Sequence, residues 1–232
     1  MPIPVSVTTA IRNYFSTMTS ISSRSQIKSD GNKYELYVYC LTYEALSRNF
    51  TLTVRSLDGV GKFKFKCGTG PINNAYSYFE FSDIKGNVYE LRNGIDLIGH
   101  VLEHEIDICV LIHDLNMGYA NYPSHHCLKI ALECKLYSNP NNLKGEARKY
   151  LGLMTDMSSL AQLPPNGIRN VGCVHLDFNF FRSFVTNVKS NQRQDIQDFL
   201  SAYILYPQFG VMPFTLEEQD FLDRIENYSS NW

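Results

Sequence analysis

The chain has 232 residues, 44% of them hydrophobic and 19% charged, and a formal charge of −2 at neutral pH. That is ordinary for a soluble globular protein, and long enough for one medium domain, or one domain with appendages, around a core rich in its 15 Tyr and 14 Phe. The longest aliphatic run, 108–112, is far short of the ~20 residues that cross a bilayer, and a charge so near neutral does not announce a nucleic-acid binder.

No basic-then-apolar leader opens the chain, so a cytoplasmic location without membrane partners is expected. The six cysteines, among them Cys40, Cys109, Cys134 and Cys173, fall mostly inside predicted elements and read as apolar fillers of a reducing compartment. In chain order, residues 5–30 are rich in Ser and Thr, and a weakly amphipathic stretch at 7–18 predicts a peripheral helix followed by a mobile segment. Leu36, Tyr39 or Cys40, Tyr43 and Leu46 recur at helical spacing and predict a helix over 33–47. Antiparallel strands are predicted within 50–99: 51–55 and 62–67 alternate, and 78–81 turns at Lys85-Gly86-Asn87 into 88–92. Asn93-Gly94 and Gly99 read as further turns. Lys62, Lys64 and Lys66 share one face of the 62–67 strand, as a basic stripe that tracks a phosphate backbone or as a lysine-protected edge.

The segment 104–112 begins polar and ends in a continuous apolar run. Asp107 stands at the change, with Ile106 and Ile108 turned away from it into a core. The connection 113–128, with Gly118, Pro123 and two histidines, reads as a loop or partial lid. In 129–137, Ile130, Leu132, Cys134 and Leu136 fall on one side and Lys129, Ala131, Glu133, Lys135 and Tyr137 on the other. Glu133 and Lys135 therefore project the same way, about 7 Å apart along the strand. Isolated charges are costly against a core, and a metal ion or a phosphate would supply the missing partner. If this strand pairs with 104–112 as a hairpin, Asp107 and Glu133 converge on one divalent cation. A turn at 139–142 leads to a helix at 143–157, with Leu143, Ala147, Tyr150, Leu151 and Met154 on one stripe. A loop at 160–170 contains Pro164-Pro165 and Gly167, and 171–181 supplies a last strand. Helices at 192–205 and 215–228 close the chain, the second opened by Thr215 and Glu218 as a capping box. No internal repeat is visible.

Asp107 followed by Glu133-Cys134-Lys135 resembles the Asp…(Asp/Glu)-x-Lys signature of the PD-(D/E)xK nuclease superfamily, over roughly residues 30–185. Ile106 stands where the name of the family has Pro. The resemblance implies an α/β, restriction-endonuclease-like fold: a central mixed β-sheet flanked by helices, in the order helix, three-stranded meander, helix, strand. Residues 1–30 would be peripheral, 31–185 the nuclease-like core with a β-rich insert at 50–99, and 186–232 a C-terminal helical extension. Gly31 shortly before Glu35 is similar to the start of the family's first helix, whose Glu joins the metal site; Glu44 is the weaker candidate.

The implied activity is Mg²⁺-dependent hydrolysis of phosphodiester bonds, in DNA before RNA, with Mn²⁺ able to substitute. Asp107, Glu133, the backbone carbonyl of Cys134 and Glu35 would hold the metal, and Lys135 would orient water and offset charge. Gly145-Glu146-Ala147-Arg148-Lys149-Tyr150 resembles the family's DNA-touching helix, so Arg148 and Lys149, with Lys64 from the basic stripe, would bind substrate. One site cuts one strand, so a homodimer or a subunit of a larger complex is expected, and an effector nuclease of bacterial defence or restriction fits the resemblance. The alternatives are a catalytically silent nuclease-fold subunit that binds nucleic acid or assembles a complex, and an unrelated interaction domain. Each candidate has a plainer reading. Glu133 and Lys135 could line a solvated strand face, Glu35 could favour a helix start through the dipole, and Arg148 and Lys149 could be an exposed face. His100, His104, His113, His125 and His126 do not stand at zinc-site spacings.

Overall fold

The computed structural model describes residues 29–72, 75–113, 122–158 and 178–232, together with positions 9 and 27. They form α1 (Asp30–Ser47), β1 (Thr53–Arg55), β2 (Tyr78–Ser82), β3 (Val88–Ile98), β4 (Glu103–Ile112), β5 (Leu128–Lys135), α2 (Leu143–Met157), β6 (Phe181–Thr186), α3 (Gln194–Ala202), β7 (Gln208–Phe209) and α4 (Leu216–Ser229). Nearly all of the predicted 7–18 helix, the middle of the 113–128 connection, the 160–170 loop and the first part of the predicted 171–181 strand lie outside the described residues.

The seven strands make one sheet in sequence order. Neighbours from β1 to β5 run antiparallel, whereas β5, β6 and β7 run parallel. Parallel neighbours need a crossover, which α2 supplies between β5 and β6 and α3 between β6 and β7. The class is therefore α/β with a mixed sheet, as expected, and 104–112 does pair with 129–137. Helices cover both faces. One core joins α1 and α4 to Leu91, Ile108, Val110, Ile130 and Leu132; the other joins α2 and α3 to Ile95, Ile106, Leu111 and Ala131. Among the described residues no helix is long and apolar enough to cross a membrane.

α1 begins three residues before the predicted helix because its cap, not its apolar spacing, sets the start. Ser29 Oγ accepts the Asn32 N–H at 3.0 Å, and Asp30 sits favourably in the first turn. Its burial exceeds the predicted stripe: Tyr34, Leu36, Tyr37, Val38, Tyr39, Cys40 and Leu41 are all fully buried. Tyr39 packs its ring on Phe63, Phe65 and Phe79, and the Tyr37 hydroxyl donates to Glu218 Oε1 at 2.7 Å. α2 spans the predicted residues and buries Leu143, Ala147, Tyr150, Met154 and Met157. The Thr215 cap forms, with Thr215 Oγ1 accepting the Glu218 N–H at 3.1 Å. Glu218 Oε2 takes the N–H of Phe214, one residue before the cap, so its carboxylate ties α4 to both its own start and α1.

Three expectations need correction. Residues 62–67 are not a strand; Phe63 makes a single bridge, and Phe63 and Phe65 anchor an irregular segment against Tyr39. Lys66 turns inward, 6% exposed, so the basic stripe is broken. Asn93-Gly94 lies inside β3, which runs on to Ile98 paired with β4. The strand expected to end at 181 instead begins there as β6. Arg182, Ser183 and Thr186 interrupt its apolar pattern yet are buried, because Arg182 Nε and Ser183 Oγ donate to Ile204 O and Tyr206 O at 2.8 and 2.6 Å.

Candidate active site

The site is built where two strands part. β4 and β5 pair at Val110–Ile130, Cys109–Ala131 and Ile108–Leu132, and beyond Leu132 the ladder ends. Asp107 fills the resulting fork. Its Oδ2 accepts the Cys134 N–H at 2.7 Å, in place of a ladder bond, and the Lys135 Nζ at 3.1 Å. The same ammonium stands 2.6 Å from Glu133 Oε1. The three residues singled out from sequence thus meet at one point, with side chains 7%, 17% and 22% exposed for Asp107, Glu133 and Lys135.

The alternation predicted around Asp107 does not hold. Ile106 packs on the α2–α3 face and Ile108 on the α1–α4 face, and Ile95 and Leu91 of β3 split the same way. The cause is Gly94, opposite Asp107 between the Asn93–Ile108 and Ile95–Ile106 pairs, with φ +60°. A Cβ there would stand 2.4 Å from Gly68 O, so no larger residue fits, and the left-handed conformation also favours glycine. Both strands change sides at this point, which leaves Asp107 free to turn along the sheet into the fork.

Glu35 reaches the site from the opening turns of α1. It makes no hydrogen bond or ion pair among the described residues, and burial, with the Asp107 charge adding and Lys135 opposing, pushes its carboxyl up to about 7. Glu133 is pushed up to about 8 by burial and then by Asp107, again opposed by Lys135. Lys135 behaves oppositely: burial works to lower it, but Asp107 and Glu133 outweigh that and hold the ammonium charged. Glu105, which sequence reasoning missed, is exposed on β4 yet raised, by partial desolvation and then by Asp107. It lies two residues before Asp107 on β4, across the point where the strand changes sides, so alternation alone does not assign it to the site. Asp107, Glu133 and Glu35 therefore share essentially one neutralising cation, Lys135, whereas the exposed Glu105 also feels Lys66.

The remaining candidates lie around or away from this cluster. Glu44 pairs with Arg48 at 3.5 Å, nine residues and about 13 Å further along α1 than Glu35. Lys149 is exposed and pairs with Glu146 at 2.8 Å; through Tyr137, which feels Glu146, Lys135 and Glu133, the start of α2 borders the site. Arg148 is exposed on the same helix. Lys64 is half-buried, its N–H on Ser77 Oγ at 2.8 Å, and is not among the charges that act most on Glu35, Glu105 or Glu133. Tyr150 was expected only as core. Its fully buried hydroxyl has no hydrogen-bonding partner among the described residues and feels the Glu133 charge. The Cys134 thiol is buried and pushed well up, first by burial, so this residue offers its backbone and not a thiolate.

The donor set suits a hard cation. Asp107 Oδ1, Glu133 Oε2 and the Glu35 carboxylate have no hydrogen-bonding partner among the described residues, and oxygen donors are what Mg²⁺ takes. The Cys134 N–H faces β4, and because N–H and C=O of one strand residue point the same way, its carbonyl is directed to the fork too. Still, among the described residues no three His, Cys, Asp or Glu side chains are gathered to hold a metal ion; here the Lys135 ammonium stands between Asp107 and Glu133. The same is true of the histidines. His100, His125 and His126 pack edge-on or tilted with ring centroids 4.1–6.0 Å apart, and His104 pairs with Asp156 at 2.7 Å. No family model, curated protein or solved structure matches this chain.

Proposed function

We propose that this protein is a Mg²⁺-dependent endonuclease of restriction-endonuclease-like fold that hydrolyses phosphodiester bonds in DNA. The observation that carries the reading is the convergence of Asp107, Glu133 and Lys135 in the fork between β4 and β5. The order of α1, the β3–β4–β5 meander, α2 and then β6 parallel to β5 supports it as well. Asp107, Glu133 and the Cys134 carbonyl would hold Mg²⁺, or Mn²⁺ in its place, with Glu35 beside them. The ion would supply Lewis acidity toward water and phosphate oxygen at neutral pH.

The chain's own groups divide the remaining work. Lys135, fixed by two carboxylates, orients water and offsets negative charge that builds on the phosphate. Glu35, with a carboxyl near 7, exchanges protons at working pH. Lys149, which acts on Tyr137 beside the site, and Arg148, exposed one residue before it on α2, would attract substrate. Because one site cuts one strand, cleavage of a duplex calls for a homodimer or a larger complex, in the cytoplasm and in a defence or restriction role. A second reading, a catalytically silent binding or assembly module, is favoured by the Lys135 ammonium standing where the two carboxylates would share an ion.

Purified protein incubated with plasmid and with single-stranded DNA separates the two. Cleavage in Mg²⁺ or Mn²⁺ that stops in EDTA is expected. A folded protein that binds DNA but cuts neither substrate in any metal would establish the silent module.

A further inference from the structure

A pocket on the far side of β3 from Asp107 is lined by Lys66, Tyr76, Ser77, Arg92 and Asn93. Lys66 is 6% exposed, and its ammonium donates to Gly70 O and Pro71 O at 2.8 and 3.3 Å. It has no carboxylate within ion-pair distance among the described residues. A buried charge without a counter-ion is costly, and burial lowers the affinity of this lysine for its proton. Arg92, also 6% exposed, gives its Nε to Glu90 Oε2 at 2.6 Å and stacks 3.6 Å over the Tyr78 ring. Its two terminal nitrogens have no partner among the described residues and are not sealed from solvent. The charge of Arg92 is met by Glu90, whereas that of Lys66 is met only by carbonyl dipoles, with Asp96 and Glu105 acting from further away.

We infer that this pocket binds one phosphodiester group, the phosphate next to the one being cut. A phosphodiester carries a single negative charge, which matches the cation that has no carboxylate at ion-pair distance, and the pocket, about 10 Å³, takes one phosphate oxygen between Lys66 and the free edge of the Arg92 guanidinium. The position fits as well. Asn93 and Ile95 line the pocket and flank Gly94, which faces Asp107 across one strand spacing. That puts the pocket on the order of 10 Å from Asp107. The 67–70 loop, which holds Lys66 through Gly70 and sets Gly68 O against Gly94, also brings Cys67 under the charge of Glu35, so it links the pocket to the candidate site. Calling the phosphate adjacent to the scissile one rests on the nuclease reading; the anion site itself does not.

The test uses thymidylyl-thymidine, a dinucleoside monophosphate, in EDTA, where cleavage plays no part. The melting temperature of wild type and of Lys135→Met should rise with added ligand, acetate should do much less, and Lys66→Met should weaken the effect about tenfold or more. Should Lys66→Met fail to fold, NMR on wild type decides, because the side-chain signals of Arg92 and Asn93 must shift during the titration. An equal rise in a folded Lys66→Met, or unmoved Arg92 and Asn93 signals, would overturn the site. If thymidylyl-thymidine binds through Lys66 while no DNA is cut, the pocket stands and the nuclease reading falls.

Discussion

Lys135→Met should lose metal-dependent cleavage by roughly 10³-fold or more and become markedly less stable above neutral pH. The side chain it removes is the ammonium that bridges Asp107 and Glu133 at 3.1 and 2.6 Å. Both carboxylates are largely buried, and taking one partner from a buried ion pair costs about 3–5 kcal/mol when the other stays charged. Glu133, pushed up to about 8, can escape that cost by binding a proton, so the penalty depends on pH. For a chain of this size each kcal/mol moves the melting temperature by about 2–4 °C. Thermal melts should therefore separate the variant from wild type by several degrees at pH 8.5 and by little at pH 5. Equal melting curves at pH 8.5 together with unchanged cleavage would mean that the bridge in the fork is incidental. Methionine keeps the volume, so a loss of activity with an intact fold at pH 5 reports charge, not packing.

The second expectation concerns the wild type: its stability should fall between pH 5 and pH 8.5. Glu35 and Glu133 have folded values of about 7 and about 8, above the ordinary carboxylate range they regain on unfolding. Between those limits the folded chain holds more protons than the unfolded one, so raising pH favours unfolding. The loss begins near the unfolded value of about 4.3 and is complete once pH passes the folded values, and it amounts to a few kcal/mol in all. Lys135 adds no slope in this window, because its raised value leaves it charged in both states until well above pH 9. His125 tilts the other way: burial lowers it, so its share is present above pH 6.5 and lost as pH falls. Comparing wild type with Glu133→Gln isolates the carboxylate, since the amide cannot ionise. A shallower decline in the variant is the expected result; parallel curves would show that Glu133 ionises as it does in water.

Much of this architecture could be read directly from residue spacing. α2 is a surface helix with one apolar stripe, so its limits follow from periodicity, and the Asp107 and Glu133-x-Lys135 strands announce themselves by charges set in apolar runs. The places where spacing misled have physical causes. β6 is buried at every position, and although Arg182 Nη1 also donates to the nearby Phe180 O, the carbonyls that take Arg182 Nε and Ser183 Oγ lie more than twenty residues downstream, where no local pattern reveals them. The 62–67 alternation satisfied the strand rule, yet the aromatic residues were anchors for Tyr39, and Lys66 turned into a pocket. Asn93-Gly94 looked like a turn because the same left-handed glycine that reverses a hairpin can also switch the faces of a continuous strand. Glu105 and the Tyr150 hydroxyl join the site only through the fork, a feature of three-dimensional pairing.

The most direct test of the proposed metal site is a Mn²⁺ titration of wild type, Asp107→Asn and Glu133→Gln, read by electron paramagnetic resonance or calorimetry. Wild type should bind Mn²⁺ with Mg²⁺ competing, and each variant should bind at least about tenfold more weakly, since each loses one charged oxygen ligand. Equal Mn²⁺ affinity in all three, or no binding by wild type at millimolar metal, would contradict a metal centre between β4 and β5.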